Sequence, residues 1–97
     1  MNFEVIWTKE ADTTLGEIIL HLEKEWYQKQ IFNFLDRIEK LIELIKVYPY
    51  LFPVSKTKGL RKAVINKQSS LFYKVDQDKI IIISVRSNAK GQKNYPS

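Results

Sequence analysis

Between residues 54 and 97 the sequence carries ten lysines and arginines against two acids, Asp76 and Asp78, a net charge of +8. Residues 1 to 53 carry six basic side chains against nine acids, a net charge of −3. A small surface dense in cations attracts polyanions, whether a nucleic acid or an acidic protein segment. The candidate anion or partner contacts are Lys56, Lys58, Arg61, Lys62, Arg86 and Lys90. Arg61 is the stronger choice because a strand holds its guanidinium rigidly, and Arg86 because it sits where the last strand leaves the sheet. Against a phosphate or partner contact for Arg61 stands an ion pair with a helix acid such as Glu39. The lysines taken singly are expected as solvated side chains. The sole histidine, His21, falls between core positions Ile18 and Leu22, remote from the basic half, and is expected on a helix surface rather than as a base.

The elements that must position these residues follow from periodicity. Phe3, Val5 and Trp7 alternate with Asn2, Glu4 and Ile6, the pattern of a short strand with one buried face. Thr8 can cap a following helix, whose first turn holds Glu10 and Asp12 at the positive end of its dipole. Ala11, Leu15, Ile18, Ile19, Leu22 and Trp26 form its apolar stripe. A second stripe, Ile31, Phe34, Leu35, Ile38, Leu41, Ile42 and Ile45, predicts a second helix that Pro49 ends. A single long helix would bury little in so small a domain, so a helical hairpin is expected.

Pro49 to Pro53 reads as a rigid apolar connector, and Ser55 to Gly59 as a basic loop. Strands are expected over Leu60–Ile65, Leu71–Val75 and Lys79–Val85, with turns at Asn66–Ser70 and Asp76–Asp78. Ile80 to Ile83 is apolar on both faces, which places that strand in the centre of the sheet. Trp7, Trp26 and Tyr73 fall on apolar stripes and are expected in the core rather than as base-stacking platforms. The expected architecture is α+β, with order β-α-α-β-β-β and a helical hairpin packed on a mainly antiparallel four-stranded sheet. One domain spans residues 1–97, with 88–97 a loosely ordered tail.

No cysteine is present, so disulfides, thiolate zinc sites and cysteine nucleophiles are excluded, and neither a metal nor a cofactor is expected. The start carries no secretory pattern, and the longest apolar run falls far short of the roughly 20 residues that span a bilayer. The expectation is a cytoplasmic protein with no membrane partner.

Several local sequences, taken in order, resemble the RelE/ParE toxin superfamily of type II toxin–antitoxin systems. Val5-Ile6-Trp7-Thr8-Lys9-Glu10-Ala11 resembles its first strand running into helix one. Tyr48-Pro49-Tyr50-Leu51-Phe52-Pro53 resembles its loop after helix two. Leu60-Arg61-Lys62, Leu71-Phe72-Tyr73-Lys74-Val75 and Ile80-Ile81-Ile82-Ile83 are similar to its three later strands. The resemblance implies a growth-inhibiting toxin of the plasmid-stabilisation kind, neutralised by a cognate antitoxin. Its members either cleave mRNA, often in the ribosome, or inhibit DNA gyrase.

Cleaving RNA through its own 2′-hydroxyl needs a base, a cation for the phosphate and an acid for the leaving oxygen. The sequence is rich only in the second. The resemblance places Arg61 and Arg86 at arginine positions of nuclease members, but Ser70 stands where an active-site arginine is usual. Ser87, Asn88 and Ala89 follow Arg86 in place of a histidine and tyrosine. Tyr95, or a lysine of depressed pKa, is left as the weak substitute. A gyrase-directed toxin is therefore slightly favoured. An mRNA endoribonuclease using Arg61 and Arg86 and a nontoxic basic binding module are the alternatives.

Overall fold

A computed structural model describes residues 3–25, 28–56 and 59–88. The β-α-α-β-β-β order holds: β1 (Glu4–Trp7), α1 (Lys9–Glu25), α2 (Gln28–Val47), β2 (Arg61–Val64), β3 (Ser69–Asp76) and β4 (Lys79–Ser87). The sheet order is β1-β4-β3-β2. β1 runs parallel to β4, while β2–β3 and β3–β4 are antiparallel. The isoleucine-rich strand is thus central, as its two-sided apolarity requires.

Register explains the two faces. Ala63, Leu71 and Val85 lie side by side, as do Tyr73 and Ile82, and all five are buried beneath the helices. Phe34, Ile38 and Ile45 of α2 complete that core with Ala11 and Leu22 of α1. Trp7 and Val5 pack partly against it, and Tyr73 is fully buried. Trp26 lies outside the described residues. Leu35, expected in the buried stripe, is 36% exposed, because it sits at the stripe's edge where α2 overhangs β1.

Thr8 caps α1 as expected, its hydroxyl oxygen accepting from Ala11 N at 3.1 Å. The same hydroxyl donates to Ile82 O at 2.7 Å, and Thr14 Oγ1 accepts from Val85 N at 3.0 Å. β1 pairs with β4 only as far as Ile82. The capping threonine of α1 and a threonine within it therefore satisfy the backbone of β4 where the neighbouring strand stops, which fixes α1 against the sheet.

One turn is shorter than expected and the other falls where expected. Asn66 Oδ1 accepts from Gln68 N and Ser69 N, so that turn is tight and Ser69 and Ser70 join β3. In the β3–β4 hairpin Gln77 has φ of 57°, the left-handed region that favours glycine. Gln77→Gly is expected to raise stability by roughly 0.5–1 kcal/mol, the relieved backbone strain outweighing the added entropy of the unfolded chain. An unchanged urea midpoint would refute this.

Candidate functional site

The face of the sheet turned away from the helices carries Lys62, Lys74 and Arg86, with Phe72, Ser70 and Ser84 between them by register. Strand alternation dictates this. The residues flanking Ala63, Leu71, Tyr73 and Val85 must point to the opposite side. Ser70 is fully buried and donates to Asn88 Oδ1 at 2.6 Å, while Asn88 Nδ2 donates to Asn66 O and Lys67 O, both at 3.2 Å. Asn88 N also donates to Gln68 O at 2.7 Å. Asn88 was expected to begin a loose tail, but these bonds lock it to the β2–β3 turn. Residues 89–97, and with them Lys90 and Tyr95, lie outside the described residues, as does Lys58.

Arg61 and Arg86 do not converge. Arg61 is paired with Tyr73 on the helix-covered face, whereas Arg86 is paired with Ser70 on the open one. Arg61 is not held by Glu39 either. Its Nη1 donates to Phe52 O at 2.7 Å, and its guanidinium lies 5.1 Å from the centre of the Tyr50 ring. Glu39 belongs to α2 and faces away from the connector that Arg61 fastens. Arg86 is held by Glu10 of α1 through a 2.8 Å ion pair in which both side chains are half exposed. It retains access to solvent, but its charge is shared. Lys56 is exposed on the loop, and Lys62 is half-buried on the open face.

Proton-transfer groups are sparse. His21 is exposed on α1. The Tyr73 hydroxyl is inside the core, donating to Pro49 O at 2.7 Å, and burial pushes its pKa up to about 12, with Arg61 pulling more weakly the other way. It is a structural group. Among the described residues no cluster of three or more His, Cys, Asp or Glu could hold a metal ion, and no helix is long and apolar enough to cross a membrane.

Two hollows on the helical side were not legible in the charge pattern. One is a groove of about 670 Å³ between α2, α1 and β1, with Val5, Trp7, Leu15, Phe32, Leu35 and Ile42 in its walls. Asp36, Glu39 and Glu43 rim it, joined by Lys46. β1 contributes an open edge there. Glu4 N donates to Asp78 O, just before β4, and Thr8 N to Ile82 O within it, so the N–H groups of Val5 and Trp7 point away from the sheet. The other hollow, about 280 Å³, is lined by Arg37 and Lys67 with Asn33 and Asn66. Arg37 of α2 reaches it by donating Nε–H to Ile65 O at 3.0 Å.

Comparison with known proteins places this geometry. The model of the ParE toxin of type II toxin-antitoxin systems, parDE, matches residues 5–90. No curated protein matches the chain in sequence. Among solved structures, the chromosomal ParDE toxin–antitoxin system of P. aeruginosa has a chain that superposes with a TM-score of 0.74 at 16% identity, covering 88% of this chain and 95% of that one. The E. coli DinJ–YafQ toxin–antitoxin complex gives 0.61 at 13% identity, covering 93% and 97%. A copper-bound mutant toxin from Helicobacter pylori gives 0.58 at 16%, covering 91% and 97%. These likenesses establish the fold. The sequence pattern, running from β1 through the end of β4, establishes the family: the chain belongs to the ParE toxins and is the toxin component of a type II toxin–antitoxin system.

Proposed function

We propose that the chain is a binding toxin of the ParE-like kind, directed at DNA gyrase and held inactive in the cytoplasm by a cognate antitoxin. The observation that carries this reading is the open sheet face. Its cations, Lys62, Lys74 and Arg86, can hold an anion, no described residue beside them is a histidine, and the carboxylate against Arg86, that of Glu10, is engaged in an ion pair with it. Arg61, the other candidate for phosphate, is spent on Phe52 O and the opposite face. A surface with cations and no histidine or uncommitted carboxylate shown beside them suits binding better than cleavage. The groove beside β1, with its apolar walls and open strand edge, suits an amphipathic antitoxin segment adding a helix or strand. The acidic, helical half thus offers the docking surface we favour for the antitoxin.

Induced expression in bacteria tests the reading. The expected result is growth arrest with altered plasmid supercoiling and intact transcripts. New transcript ends in a primer-extension map, lost on Arg86→Ala, would replace gyrase binding with mRNA cleavage. Unimpaired growth would leave only a nontoxic basic module.

A further inference from the structure

Six large apolar side chains stand 40–61% exposed within a short stretch: Leu44, Val47, Tyr48, Tyr50, Leu51 and Val54. A mobile loop would turn such residues inward, but this one is fastened from beneath. Tyr73 Oη donates to Pro49 O and Arg61 Nη1 to Phe52 O, both at 2.7 Å. Lys62 N donates to Pro53 O at 3.0 Å and Ser55 N to Leu60 O at 2.6 Å. Leu51 N closes a turn on Tyr48 O at 3.1 Å, and Arg61 supports the Tyr50 ring. The sheet therefore holds an apolar, tyrosine-bearing ridge out in water. Rigid exposed tyrosines are characteristic of binding hot spots, because little conformational freedom remains to be lost on association.

Charge narrows the occupant. No acid occurs from residue 44 to residue 75, and the loop that follows the ridge carries Lys56 and Lys58 and leads into Arg61, whose guanidinium lies against the Tyr50 ring. Four of the six exposed side chains are aliphatic, which gives bases little to stack on and favours a protein over a nucleic acid. At 100° per residue, Leu44 and Tyr48 lie on the flank of α2 opposite Leu35, Glu39 and Ile42 of the groove, so both surfaces can be filled at once.

We propose that this ridge is the contact surface for the toxin's target, a protein presenting an apolar pocket rimmed by carboxylates. The proposal rests on the binding-toxin reading above. Its test compares the parent, Tyr48→Ser/Leu51→Ser and Lys56→Glu for growth arrest on induction, for co-purification with the antitoxin encoded beside the gene, and for binding to a single-stranded RNA oligonucleotide. The double variant is expected to restore colony counts about a hundredfold and Lys56→Glu about tenfold, both still co-purifying with the antitoxin. Growth arrest as severe as the parent's in Lys56→Glu and in a folded double variant overturns the proposal. So does loss of antitoxin capture with toxicity retained, which assigns the ridge to the antitoxin. RNA binding by the parent that both variants lose assigns it to nucleic acid. A parent that leaves growth untouched instead refutes the binding-toxin reading itself.

Discussion

Ile82→Ala is expected to lower the unfolding free energy by about 3–4 kcal/mol, a large part of the roughly 5–15 kcal/mol that holds a domain of this size. Ile82 is fully buried in the central strand, with Trp7 of β1 on one side and Tyr73 of β3 on the other. Removing its outer carbons leaves a cavity bounded on both sides by paired strands, which cannot close in without breaking register. The backbone bonds that Ile82 O accepts from Thr8 survive the substitution, so the effect isolates packing. Urea unfolding at neutral pH measures it. A loss below about 1 kcal/mol would show that the sheet and helices relax around the site, contrary to a close-packed core.

Tyr73→Phe is expected to cost roughly 1–3 kcal/mol by a different route. The ring stays, but Pro49 O, in a buried residue, loses its donor. The substitution should also change how stability depends on pH. In the unfolded chain the phenol ionises near its ordinary value of 10.0, and in the folded protein at about 12. Because the folded pKa is raised, the contribution of the neutral phenol is complete below pH 10 and declines as pH climbs toward 12. The slope there is at most about 1.4 kcal/mol per pH unit. Tyr73→Phe should flatten it. Urea midpoints for the two proteins across that window give the answer, and parallel curves would show that Tyr73 ionises as freely folded as unfolded. Because the same hydroxyl fastens the connector, the variant should also loosen the Tyr48–Leu51 ridge.

Much of the fold was legible where local chemistry and tertiary packing ask for the same residue. Thr8 reads as a cap and is one, and Ile80 to Ile83 read as a central strand because both faces must be covered. Legibility fails where one residue serves two masters. Thr14 looks like an ordinary polar helix residue, yet its hydroxyl completes the edge of a strand 71 positions away. Leu35 and Phe32 carry the hydrophobicity of a core and line an open groove, since periodicity gives the direction of a side chain but not what stands opposite. Arg61 was legible as a rigid cation but not as a fastening for the connector, because its acceptor is a backbone carbonyl that no sequence pattern marks. At the candidate site the charge was visible and the two faces were not. Only the register separates Arg61 from Arg86.

The parallel pairing of β1 with β4 sets a timetable for the nascent chain. Glu4 is made first, and its partner Lys79 follows 75 residues later. At about 5–20 residues per second, β1 waits roughly 4–15 s for the strand that completes its edge of the sheet. The sheet closes last at its centre, because β4, an inner strand, is the last of the four to be made. Each new toxin molecule thus passes several seconds on the ribosome without its finished fold, an interval in which an antitoxin already present can be waiting when β4 is added.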